Sequence, residues 1–170
     1  FETFYGTSKG EQIGNKGKWG NNFSTKIETN LNLYGVFSLE YDKFSNIDLR
    51  TSTGVGIQFV ISDIEKNRSK FAASFNSEFL NASNNIENTK SIRLNLNYYS
   101  EILLSKTTKF SASVLLTSNL SNITDDYRLE TLASISVLMT KPIWLNVKAW
   151  NKYNNKPISK EINKNDFALV

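Results

Sequence analysis

The chain has 170 residues, 39% of them hydrophobic, which suits one domain; Lys plus Arg number 20 against 16 Asp plus Glu, giving +4 and a pI near 9.2. It has no cysteine and no histidine, which removes Cys/His zinc sites, haem ligation by His, thiol chemistry and Ser-His-Asp or Cys-His nucleophiles, so no cofactor, no metal and no enzymatic activity are expected. Both signs of charge interleave without a basic block, which speaks against a nucleic-acid partner, and no stretch approaches the roughly 18 consecutive apolar residues of a spanning helix.

In chain order, apolar residues alternate with polar ones in runs bounded by Gly, Pro, Asn and Ser, the pattern of extended strands. The runs are Phe1 to Gly6, Asn22 to Thr29, Leu33 to Asp42, Asp48 to Val60, Arg68 to Leu80, Lys90 to Leu103, Thr108 to Ser118, Tyr127 to Leu138, Ile143 to Tyr153 and Asp166 to Val170. Gly10 to Gly20, rich in Gly, Asn and Lys, reads as a long mobile loop. Pro142 and Pro157 both fall in connections, where the missing N–H is tolerated. Connections at Ser105 to Thr107 and Thr140 to Pro142 are short, while Asn81 to Thr89, Asn119 to Asp126 and Asn154 to Asn165 are long. Short connections on one side and long ones on the other are the rhythm of an all-β, antiparallel up-and-down transmembrane β-barrel.

Successive side chains of a strand point to opposite faces. One face then carries Phe37, Leu39 and Tyr41, then Phe71, Ala73, Phe75 and Phe79, then Ile92, Leu94, Leu96 and Tyr98, and so on through Ala149. No charge interrupts it, as a lipid-facing surface requires. The opposite face carries Glu40, Asp42, Arg50, Lys70, Glu78, Arg93, Glu101, Arg128, Glu130 and Lys148, with Lys26, Glu28 and Lys152. Both signs are present there, so neighbouring strands can pair charges across a barrel interior, either as a plug of side chains or as the lining of a narrow solute channel. A soluble lipocalin-like barrel with the apolar face turned inward onto a lipid ligand is compatible with the same alternation. Aromatics such as Trp19, Tyr34, Tyr99, Tyr127, Trp144 and Tyr153 near strand ends suit either membrane-interface girdles or ordinary sheet packing. Asp125 and Asp126 lack the spaced ligands of a calcium loop and read as solvated turn residues.

Several motifs in register carry a resemblance. Glu40-Tyr41-Asp42-Lys43-Phe44, Ile47-Asp48-Leu49-Arg50 and Gly54-Val55-Gly56, followed by Asp126-Tyr127-Arg128-Leu129, Tyr153-Asn154-Asn155-Lys156-Pro157 and Asp166, resemble the signatures of the salt-induced outer-membrane protein family, a bacterial group without an assigned reaction. The resemblance covers roughly Tyr5 to Val170. It implies a Gram-negative outer-membrane barrel in contact with outer-membrane lipid, with roles at loop mouths for Asp48, Arg50, Tyr127, Arg128 and Asp166, and with Pro157 as a further signature residue. It also implies that the single domain spanning 1–170 lacks its first strands and the end of its last one, so that about ten strands belong to a barrel of about twelve. Function is then structural, as an envelope component or an anchor in a larger assembly, with other envelope proteins as partners through the Gly10 to Gly20 and Asn81 to Thr89 loops.

Overall fold

A computed structural model of the chain describes residues 2–8, 11–43, 45–82, 87–157 and 165–169. They form one antiparallel sheet of ten strands in which every strand pairs with its neighbours in sequence. The strands are β1 (Glu2–Ser8), β2 (Glu11–Glu28), β3 (Leu31–Asp42), β4 (Ile47–Ile64), β5 (Asn67–Ala82), β6 (Thr89–Leu103), β7 (Thr108–Asn119), β8 (Tyr127–Thr140), β9 (Ile143–Asn154) and β10 (Asn165–Leu169). No helix occurs among the described residues. At one end the connections 29–30, 65–66, 104–107 and 141–142 are short; at the other, 43–46, 83–88, 120–126 and 155–164 lengthen along the chain. The tip of the 43–46 turn takes Asn46 at φ 54°, a conformation that Asn tolerates better than most residues.

Two expectations change. The strand β2 begins at Glu11, so most of the Gly10 to Gly20 stretch is strand and not loop, with Gly10 itself outside the described residues. The glycines serve packing there. Gly17 pairs with Tyr41, and a Cβ on residue 17 would stand 2.4 Å from the Tyr41 ring; Gly35 lies in the same way beneath Phe23. A bare backbone gives each cross-strand aromatic a seat on the outer face. The second change concerns closure: β1 and β10 pair only with β2 and β9 among the described residues, so the sheet is not closed into a barrel.

The sheet is nevertheless strongly curled. Lys16 of β2 places its ammonium 5.1 Å from the centre of the Trp150 ring on β9, seven strands along the sheet. At a spacing of about 4.8 Å per strand a flat sheet would separate them by roughly 34 Å. The curvature is sharpest around β4, across which β3 and β5 approach each other. On the concave face Gly54 and Gly56 oppose Asn76 and Ser74, and a Cβ on residue 56 would lie 2.0 Å from the Ala73 carbonyl oxygen. Small side chains let the two strands close on each other, and Ser74 and Asn76 are only 3% and 2% exposed.

The concave face is the polar one. Burial alternates along β5, with Ser74, Asn76 and Glu78 buried and Phe75, Ser77 and Phe79 exposed. Among the described residues the buried apolar ones are Ile47, Ala72, Leu80 and Ala82, while Val55, Phe75, Ile92, Leu145 and Phe167 stand exposed on the convex face. Asn76 donates to the Ser52 hydroxyl at 3.2 Å and accepts from Ser74 at 2.8 Å, which satisfies polar groups inside the bend.

Candidate functional site

Strand alternation carries Glu40, Arg50, Glu78, Arg93, Arg128 and Lys152 to the concave face, all in the strand halves nearest the long connections. There they join into one network. Lys152 donates to Glu40 Oε1 at 3.0 Å, and Arg50 donates to the other Glu40 oxygen at 2.7 Å. Arg50 Nε stands 3.8 Å from Glu78. Glu78 accepts from Arg93 Nε at 2.8 Å and, on its second oxygen, from Arg128. Arg93 then forks onto both oxygens of Asp126, at 3.0 and 3.2 Å, the planar two-point geometry that suits guanidinium and carboxylate. Asn119 adds a bond to Asp126 at 2.8 Å.

The side chains of Arg50, Glu78, Arg93 and Arg128 are each no more than 10% exposed. Removing charges from water costs several kcal/mol per ion unless partners and hydrogen bonds offset it. Here the three arginines surround one carboxylate, and Glu40 and Asp126 supply the remaining negative charge. The Nε atoms of Arg50 and Arg128 are buried without a hydrogen-bond partner, so satisfaction is incomplete.

The ten residues expected to line the interior separate into groups. Glu40, Arg50, Glu78, Arg93 and Arg128 are brought together. Glu130 faces Lys18 at 3.7 Å across the concavity, and Asp42 is buried where it accepts from the backbone N–H and hydroxyl of Ser45 in the 43–46 turn. Glu101 pairs instead with Lys109 at 3.4 Å near the short turns, and Lys70 and Lys148 stand toward that same end, away from the network. Glu40 and Glu78 do not face each other as an acid/base pair, since Arg50 lies between them.

Asp126 is not the solvated turn residue that its sequence suggests: Arg93 holds it at the mouth of the concavity. The only signal in sequence was its place in the Asp126-Tyr127-Arg128 motif. Its carboxyl lies below the ordinary aspartate value: burial pushes it up, and the bonds from Arg93 and Asn119 outweigh that push.

The remaining motif residues meet at this same end. Lys43 pairs with Asp48 across the 43–46 turn. The rings of Tyr127 and Tyr153 lie 5.9 Å apart, and Asn155 donates from its backbone to the Tyr127 carbonyl at 2.9 Å and from its side chain to the Asp125 carbonyl at 3.2 Å. Two motifs separated in sequence thus clamp the 120–126 connection to the start of the 155–164 one. Pro157 follows within that connection, Asp166 is exposed on β10 opposite Lys152, and Phe44 lies outside the described residues. Of the aromatics expected at strand ends, Tyr34 and Tyr99 point inward, donating to Asn22 at 3.4 Å and to Glu101 at 3.1 Å. Trp19 faces outward, edge-on to Phe37 at 5.7 Å, whereas Trp144 falls on the face of Lys148 and Lys152, next to the short turns and partly exposed.

Among the described residues no group of three or more His, Cys, Asp or Glu side chains could hold a metal. The arrangement can hold strands in register through charge. Fold and site together define an all-β, up-and-down antiparallel sheet with an ionic interior. The chain belongs to the family described as "Protein of unknown function, DUF481", whose model matches residues 1–169. No curated protein and no solved structure matches it.

Proposed function

We propose that the protein is an integral β-barrel of the Gram-negative outer membrane whose polar interior is largely filled by side chains, and that it serves as a structural envelope component or as an anchor in a larger assembly. The observation that carries this reading is the inversion of an ordinary protein's polarity. Glu78 and Arg128 are buried while Val55, Phe75 and Ile92 lie about 60% exposed on the convex face. Such a surface in water would be an aggregation liability, whereas hydrocarbon accepts it. The alternation of short and long connections and the resemblance to salt-induced outer-membrane proteins support the same reading. A lipocalin-like barrel needs the opposite arrangement, with the apolar face enclosed. A narrow channel is the lesser reading because Arg50, Glu78, Arg93 and Arg128 meet side chain to side chain across one end of the interior.

The test is expression of the full-length gene in a Gram-negative host, followed by membrane fractionation and gel electrophoresis with and without boiling. Recovery in the outer membrane with a heat-dependent change in mobility is the expected result. Recovery in the soluble fraction without a mobility change would overturn the proposal.

A further inference from the structure

We propose that the short-turn end of the sheet docks onto anionic phospholipid headgroups; this rests on the membrane reading above. The net positive charge of the chain gathers at this end. Three of the four short turns carry a lysine, Lys66, Lys106 and Lys141, all exposed. The strand halves next to those turns add Lys26, Arg68, Lys70, Lys109 and Lys148, which alternation places on the concave face at that end. Against these eight cations stand four acids, Glu28, Asp63, Glu65 and Glu101. The surplus of four equals the +4 of the whole chain, because the other 12 cations and 12 acids of the sequence cancel. At the long-connection end the Glu40 to Asp126 network sets buried charges of both signs against one another, and no such network forms among the described residues of the short-turn end.

Pairing at the short-turn end is sparse. Arg68 meets Asp63 at 3.5 Å and Lys109 meets Glu101 at 3.4 Å, and the three turn lysines take part in no ion pair among the described residues. Directly beside them the convex face is apolar up to the turns, with Ile61, Ile64, Leu104, Met139 and Ile143 each about 60% exposed. A band of apolar side chains capped by cations matches the boundary between acyl chains and phosphate-bearing headgroups, where long lysine stems lie along the apolar layer and their ammonium groups reach the charged one.

The experiment follows association and folding of the full-length protein, refolded from denaturant, with vesicles of phosphatidylcholine alone or mixed with phosphatidylglycerol. Heat-dependent gel mobility is the measure of the inserted form. Phosphatidylglycerol is expected to speed insertion about tenfold at low salt, and the gain is expected to vanish at high salt and in the variant Lys66→Glu/Lys106→Glu/Lys141→Glu. The single variants Lys106→Gln and Lys141→Gln, with smaller losses expected, serve where the triple variant fails to fold. Equal insertion rates in both vesicle types would overturn the headgroup proposal and leave the membrane reading standing. No insertion in either would overturn the membrane reading itself. Co-sedimentation with purified peptidoglycan that depends on the same lysines, with no response to lipid charge, would assign this end to glycan-borne carboxylates and overturn the proposal as well.

Discussion

The ammonium of Lys152, on β9, lies 3.0 Å from Oε1 of Glu40, on β3, although the two residues are 112 positions and six strands apart. A flat sheet would hold these strands roughly 29 Å from each other. The ion pair is therefore a product of curvature, and it closes one end of a chain of charges from Lys152 through Glu40, Arg50, Glu78 and Arg93 to Asp126. Side chains from β3, β4, β5, β6, β8 and β9 and from the 120–126 connection meet in it, so it fixes the curled form and not only local register.

Glu78 is the member on which three guanidinium groups converge, and its neutralisation is expected to be the most damaging single change in the network. Glu78→Gln leaves Arg50, Arg93 and Arg128 crowded in a buried site with less negative charge. The expected loss is about 3–5 kcal/mol, the range for breaking a buried ion pair from one side. Urea unfolding of the refolded protein measures it, with the exposed Glu87→Gln as a control expected to stay within about 0.5 kcal/mol of the parent.

Asp126 gives the network a pH dependence. Burial raises its carboxyl and the bonds from Arg93 and Asn119 more than reverse that, so the folded value lies below the unfolded one. Such a group contributes its stability above the unfolded value, and the contribution fades as pH falls through the folded value. Acid is therefore expected to loosen the fold in the range below the ordinary aspartate value. Asp126→Asn is expected to lower the unfolding midpoint at neutral pH and to flatten its fall in acid. A series of urea midpoints against pH measures both effects, and parallel curves for the two proteins would be inconsistent with this role.

Which side chains share a face was legible in the sequence, because a strand has a period of two and the run from Leu49 to Phe59 has no other reading as regular structure. Which charges would meet was not. Glu40 and Lys152 are joined by the curl of the whole sheet, and the degree of curl is not written in hydropathy. Lys70, Glu101 and Lys148 have the same alternation as Glu78 and lie away from the network, since distance along the strand decides which end they reach. The strand in the Gly10 to Gly20 stretch is hidden from the sequence for a related reason. Composition cannot distinguish a glycine that turns the chain from one that seats an aromatic ring of the next strand, as Gly17 seats Tyr41.

That distinction among glycines has a measurable form. A methyl group on residue 20 would meet its nearest atom at 3.5 Å, an ordinary contact, so Gly20→Ala is expected to be neutral or to stabilise by up to about 1 kcal/mol by restricting the unfolded chain. A methyl group on residue 56 would meet the Ala73 carbonyl oxygen at 2.0 Å and the Ser74 backbone at 2.5 Å. Backbone cannot step aside as a flexible side chain can, so Gly56→Ala is expected to cost about 1–3 kcal/mol or to open the bend around β4. Comparing the two unfolding midpoints tests whether the bend is held by bare backbone.

The outward face carries the sharpest contrast between environments. Val55 stands midway along β4, paired with Gly35 and Phe75, and is 63% exposed. A surface substitution in water away from special features shifts stability by no more than about 0.5 kcal/mol. At the middle of a bilayer the same arginine costs about 2–4 kcal/mol, because the guanidinium loses its hydration without gaining a partner. Val55→Arg is therefore expected to lower the urea midpoint of vesicle-inserted protein by that larger amount and to reduce recovery from the outer membrane. Lys106→Arg, in a short turn, is expected to change neither, since it keeps its charge and lies outside the hydrocarbon in both environments. If Val55→Arg behaves like Lys106→Arg, the convex face is in contact with water and the membrane reading fails.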